Sequence, residues 1–187
     1  MTLNEQPVSP RESERLLLRS WRDEDVHDWV AMGADPRVMR FFPAVYDAEY
    51  ASAMAQRLRD RLEADGYGWW VLEAKKVTSF AGVIALQKVP FEAHFTPAFE
   101  VGWRLKPEYW GRGYATEGAS LATRFAFDVL NLEEVVAMTA VQNIPSQRVM
   151  ERLGMTHDPR DDFDNPRLEE AHPLRRHVLS RLSRSHA

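Results

Sequence analysis

The chemistry of this chain is concentrated in Trp110-Gly111-Arg112-Gly113-Tyr114-Ala115-Thr116-Glu117. An apolar-alternating run from Phe99 to Leu105 precedes it, and a helical pattern over Gly118–Leu130 follows. A strand therefore enters a glycine turn that opens a helix, where the first backbone N–H groups have no intrahelical acceptor and the helix dipole favours an anion. Gly111 and Gly113 can take positive φ and lack a Cβ, which lets the main chain wrap closely around a phosphate. The sequence thus predicts a turn that holds a phosphorylated cofactor through the amides of Gly111 to Thr116, with Arg112 able to add charge. It is not a Walker loop, because Gly113-Tyr114-Ala115 supplies neither the lysine nor the metal-binding hydroxyl. A dinucleotide fingerprint would need a third glycine and a place in the first βαβ unit of a parallel sheet.

The elements that must position this turn follow from periodicity and caps. Arg15–Ser20, Trp69–Ala74, Ser79–Leu86, Phe99–Leu105, Val135–Ala140 and Val178–Leu182 read as strands, with a further strand from Met155 onward. Helices are predicted after Asp23-Glu24-Asp25, after Asp47 (with Met54, Leu58 and Leu62 on one face and Gly66 as the stop), over Gly118–Leu130 and over Ser146–Leu153. Residues 1–11 read as a loose tail, residues 12–187 as one domain, and Pro159–Pro173 as a loop or hairpin tip.

Composition narrows the function classes. The chain has 187 residues, 44% hydrophobic and 28% charged, which suits one soluble domain with a real core. No apolar run is long enough to span a bilayer, and Met1 to Arg11 lacks a signal-peptide pattern. The absence of cysteine fits a reducing cytoplasm and excludes an acyl-cysteine intermediate. The histidines show no ligand spacing, so no metal is expected. A net charge of −4 argues against nucleic-acid binding and, averaged over the surface, favours cationic acceptors.

Trp110-Gly111-Arg112-Gly113-Tyr114-Ala115 resembles the Q/R-x-x-G-x-G/A signature of the GNAT superfamily of N-acetyltransferases. Trp110 stands where most members have Gln or Arg, as is usual in the branch that acetylates ribosomal-protein N-termini. Asn143-Ile144-Pro145-Ser146 with Met150-Glu151-Arg152-Leu153-Gly154-Met155 is similar to the family's second signature. Glu14–Arg19, Trp21–Asp25 and Leu174–Leu179 resemble its opening and closing segments, so the likeness spans roughly residues 12–182 in family order. It implies an α+β fold: a mixed, mostly antiparallel sheet of six or seven strands with a central splay, flanked by about four helices. It also implies acetyl-CoA as cosubstrate and a primary amine as acceptor, either a protein N-terminus or a small molecule. Monomer and homodimer both stay open.

The resemblance distributes roles over the candidate residues. The pantetheine arm would pair with the main chain of Trp103 and Leu105, and the diphosphate would sit on Gly111 to Thr116. Asn143 would contact the pantetheine arm, and N-capping of the next helix is its alternative role. Ser146 would donate a proton to the departing thiolate, the alternative being a structural serine in a first helical turn. Glu100 is the first choice of base, because a carboxylate beside Phe99, Val101 and Trp103 can be desolvated enough to accept an ammonium proton. A salt-bridged or solvent-facing glutamate is its alternative. Glu92 and His94, in the loop Pro90–Pro97, are further candidates and would border the acceptor pocket. Of Trp69 and Trp70, one must face the core and the other solvent or substrate, and Trp70 is taken here as the substrate-facing one. A catalytically inactive acyl-CoA sensor is the rival function.

Overall fold

A computed structural model describes residues 11–186, so the expected tail lies outside the described residues except at Arg11. Arg11 is not tail: with Glu12 it forms a short strand, β1, antiparallel to Leu16–Arg19 (β2). Leu16 and Leu18 are wholly buried. Two helices follow, Asp25–Ala34 (α1) and Ala48–Asp65 (α2). Asp47 caps α2 by accepting a hydrogen bond from the Tyr50 amide at 2.7 Å, and the helix ends at Gly66, both as the sequence predicts. Its buried stripe is Ala51, Ala55, Leu58 and Leu62. Met54 falls outside that stripe and lines the cleft described below.

Trp69–Ala74 (β3), Thr78–Lys88 (β4) and Phe99–Leu105 (β5) form the antiparallel meander expected from their alternation. After the glycine turn come Tyr114–Asp128 (α3), Glu134–Ala140 (β6), Ile144–Arg152 (α4), Thr156–His157 (β7), Phe163–Asp164 (β8) and Arg176–Ser183 (β9). The sheet order is β1-β2-β3-β4-β5-β6-β9-β7, with β8 also on β9. Six of the nine strands have four or more residues, and β1, β7 and β8 have two each. The three short ones lie at or near the sheet margins, where the sequence carries little alternation to announce them.

Every pairing is antiparallel except β5 with β6. The helical crossover α3 brings β6 back parallel to β5, and the two strands share one register pair, Glu100 with Val136. Beyond it they diverge. The splay lies where the family likeness places it, and it leaves one edge of Val101 to Leu105 without a strand partner.

Helices cover both faces. Trp70 meets Phe125 of α3 edge-on at 5.3 Å, whereas its neighbour Trp69 meets Trp29 of α1 at 6.2 Å on the opposite face. Trp70 is therefore a core residue, 1% exposed, and not a substrate contact. The face under α1 and α2 is anchored by Arg19, whose guanidinium is buried on Asp25 (2.7 and 2.8 Å), Glu73 (2.8 Å) and the Ser79 carbonyl (2.7 Å). Removing one partner leaves a buried charge short of hydrogen bonds, so Asp25→Ala is expected to cost about 3 kcal/mol in a urea-unfolding experiment. No described helix is long and apolar enough to cross a membrane.

Candidate active site

The glycine turn closes as its residue types require. Gly111 and Gly113 take φ of 71° and 79°, and Gly113 is the N-cap of α3. Glu117 is the first amide of the helix to find a main-chain acceptor, the Gly113 carbonyl at 3.0 Å. Among the described residues the amides of Gly111, Arg112, Gly113, Tyr114, Ala115 and Thr116 have no main-chain acceptor. Successive unpaired N–H groups at a helix N-terminus suit a diphosphate. Tyr114 has only its backbone to offer at the turn, because its ring is buried in the core. Arg112 is exposed over the Tyr109 ring, and its carbonyl accepts a 3.3 Å hydrogen bond from Arg15. Arg15 in turn pairs with Glu117, latching the chain just before β2 to the first turn of α3.

Trp110 has a role that its exposure hides. Its indole N–H donates to the Leu105 carbonyl at 2.9 Å, pinning the turn back onto the end of β5. That carbonyl is therefore engaged within the fold, and Leu105 has only its N–H to offer along the splayed edge. Trp103 lies on the same edge with its side chain packed against the core.

Across the splay, Asn143 caps α4. Its Oδ1 accepts from the Ser146 amide (3.3 Å), and its Nδ2 donates to Thr139 Oγ1 (2.8 Å) and Ser146 Oγ (3.0 Å). The structural role read from the sequence is thus filled. The Ser146 hydroxyl accepts from Asn143, which leaves its own proton directed elsewhere.

Glu100 sits where β5 and β6 part. The Trp69 indole donates to Gln87 Oε1 (2.9 Å), and Gln87 Nε2 donates to Glu100 Oε1 (2.6 Å). The indole can only donate, so it orients the Gln87 amide with its N–H towards the carboxylate. Burial pushes the Glu100 carboxyl above the usual carboxylate range, against the opposing pull of the Gln87 hydrogen bond and the Arg167 charge. Gln87 and Glu100 are direct cross-strand partners of the meander. Sequence reasoning missed Gln87 and Trp69, because the long connection between β4 and β5 leaves their register unset in the sequence.

These groups share one open cleft of about 2390 Å³ running from the α1–α2 connection to α4. It brings together Glu100, Trp103, Leu105, the glycine turn, Asn143 and Ser146. It does not include Glu92 or His94. The loop reaches the cleft through Pro90 and Phe91, while Glu92 is exposed and His94 turns to Asp161, 3.6 Å away. The reason is a separate aromatic cluster of Phe91, Phe95 and Phe163 that holds the loop against β9. Against three carboxylates, Asp60, Glu100 and Glu117, the cleft wall carries eleven arginines. The net charge of −4 is thus unevenly spread, and the cleft favours anions.

Comparison with known proteins finds likeness in both sequence and fold. Residues 15–156 match the model of the acetyltransferase (GNAT) domain family. The chain is 32% identical over 164 residues to the FsC-acetyl coenzyme A-N(2)-transacetylase of Aspergillus fumigatus, covering 84% of this chain and 68% of that protein. Among solved structures it is similar to an acetyltransferase from Agrobacterium tumefaciens (TM-score 0.76, 26% identity, 96% of each chain covered). A ribosomal-protein-S5-alanine acetyltransferase from Vibrio fischeri shares the fold at TM-score 0.68 and 17% identity, with 93% of this chain and 96% of that one covered.

Proposed function

This chain belongs to the GNAT acetyltransferase family, whose members use acetyl-CoA, and from that premise we propose that it acetylates a primary amine by direct attack within a ternary complex. Acetyl-CoA supplies an activated acyl group with a good leaving group, so positioning and proton handling are what the protein must add. The unpaired amides of Gly111 to Thr116 fit a diphosphate, with the arginine-rich wall nearby for the remaining negative charge. The unpaired edge of β5, at Trp103 and the Leu105 amide, fits an extended amide-bearing arm.

Glu100 is the base in this reading. Desolvation makes its carboxylate a stronger proton acceptor than an exposed glutamate, and the Trp69–Gln87 relay fixes its orientation. Ser146, held by Asn143, has a hydroxyl proton free to reach a leaving sulfur. The observation that carries the proposal is the meeting of a desolvated carboxylate and an anion-ready helix N-terminus in one cleft, at the point where the sheet opens.

A coupled assay for free CoA thiol tests it, run with acetyl-CoA and a panel of alkylamines, polyamines, amino acids and peptides beginning in Ser or Ala. Amine-dependent CoA release is the expected result. Tight binding of acetyl-CoA with no release on any amine would instead identify an acyl-CoA sensor.

A further inference from the structure

Arg104 holds a charge for which the fold provides no counterion. Its side chain lies against four aromatic rings, with the guanidinium carbon 4.1 Å from the centre of Phe42, 5.1 Å from Trp29, 5.4 Å from Tyr46 and 5.8 Å from Trp69. The residue is 5% exposed, yet it forms part of the cleft wall. Its Nε and Nη1 are buried without a hydrogen-bond partner, and among the described residues no carboxylate contributes to its environment. Burial pushes its pKa down, opposed by the charge and hydrogen bond of the Tyr46 hydroxyl and by the Tyr50 hydroxyl. Ring faces attract a cation but cannot accept its in-plane N–H bonds, so the site remains poorly satisfied. Arg19, equally buried in the same fold, is saturated by Asp25, Glu73 and a carbonyl. The contrast marks Arg104 as a guanidinium in the cleft wall with two unused N–H donors, the group whose planar chemistry suits a carboxylate.

The surroundings define what such a carboxylate would be attached to. Glu100, Gly102 and Arg104 alternate onto one face of β5. Gly102 carries no side chain, and its cross-strand partner Ala85 carries only a methyl, so the floor between Glu100 and Arg104 is bare. A strand rise of about 3.3 Å per residue separates the two Cα atoms by about 13 Å. Trp69 spans much of that interval, with its ring beside Arg104 and its N–H on the Gln87 that holds Glu100. A ligand reaching both ends would run an apolar chain along Trp69 and Tyr46.

Resting on the acetyl-transfer reading, we propose that the acceptor is an amino carboxylate, bound by its carboxylate on Arg104, with a reacting nitrogen several methylenes away beside Glu100. An ω-amino acid or the side-chain amine of a diamino acid has this shape. A polyamine does not, since it would place a second cation against Arg104.

The test compares 5-aminopentanoate with n-butylamine, which is the same chain without the carboxylate, and with cadaverine, which carries a cationic aminomethyl group in its place. In the CoA-release assay the wild type is expected to favour 5-aminopentanoate in kcat/KM by roughly tenfold or more, as a charge-assisted contact to a buried partner allows. Arg104→Met should bring that ratio towards one, chiefly through KM, and Arg104→Lys should retain part of it. Because the replaced charge is buried without a counterion, Arg104→Met should keep or raise Tm, which a purely structural arginine would not permit. Equal or better use of n-butylamine or cadaverine by the wild type overturns the proposal, and that arm needs no variant. If no amine is turned over, the acetyl-transfer reading fails separately. Calorimetry of 5-aminopentanoate then still decides here: binding to wild type but not to Arg104→Met supports the Arg104 site, and equal binding refutes it.

Discussion

Replacing Gly113 with tryptophan should abolish measurable acetyl-CoA binding while leaving the fold intact. Gly113 caps α3 at φ 79°, on the exposed side of the turn, and a Cβ built there would lie 3.6 Å from Arg15 Nη2. The site therefore has room for a side chain, and an indole would cover the unpaired amides of Gly111 to Thr116. Losing two or three charge-assisted hydrogen bonds costs about 4 kcal/mol, or roughly a thousandfold in Kd. Positive φ at a non-glycine residue adds strain of about 1–3 kcal/mol, which falls on stability rather than on affinity. Gly113→Ala separates the two effects. It should lower Tm much as Gly113→Trp does, yet keep most of the affinity. Calorimetric titration of acetyl-CoA into the three proteins checks this, and equal affinity in wild type and Gly113→Trp would remove the turn from the binding site.

Glu100→Gln is expected to lower kcat by about 10²–10⁴ with little change in acetyl-CoA affinity. The glutamine has the shape of the glutamate, and its carbonyl can still accept from Gln87 Nε2, so the Trp69–Gln87 relay survives. What is lost is the proton acceptor. The wild-type kcat/KM should rise with pH as Glu100 ionises, over a range above that of an ordinary carboxylate because burial raises its pKa. That ascending limb should vanish in the variant. Stability should move the other way. Between the ordinary carboxylate pKa and the raised one the folded state binds more protons than the unfolded chain, so unfolding free energy falls as pH rises through that window. Urea titrations across the window should lose this slope in Glu100→Gln. An unaltered pH–rate profile would assign the proton to another group or to water.

Much of the site was legible because its makers act locally. Positive φ at Gly111 and Gly113, the Asp47 and Asn143 caps and the alternation of β3 to β5 each depend on a few neighbouring residues. Family likeness added the place of the splay. Other assignments went wrong or unseen where distant segments decide. Alternation said that Trp69 and Trp70 face opposite ways, but helices cover both faces, so it could not say which tryptophan reaches the cleft. Glu92 and His94 were drawn away by aromatic packing against β8 and β9, far along the chain. The Leu105 carbonyl was taken by the Trp110 indole across a turn.

Sequence alone therefore determined the phosphate-ready turn, the order of strands and helices and the presence of a glutamate on the strand before the turn. Tertiary structure alone decided that this glutamate is desolvated, that arginines crowd the cleft of an acidic chain and that Arg104 is buried without a carboxylate beside it. The physical reason is range. Backbone dihedrals and caps are set within one turn of chain, whereas desolvation and charge pairing depend on every segment that packs around a group, and those segments meet only when the sheet is assembled.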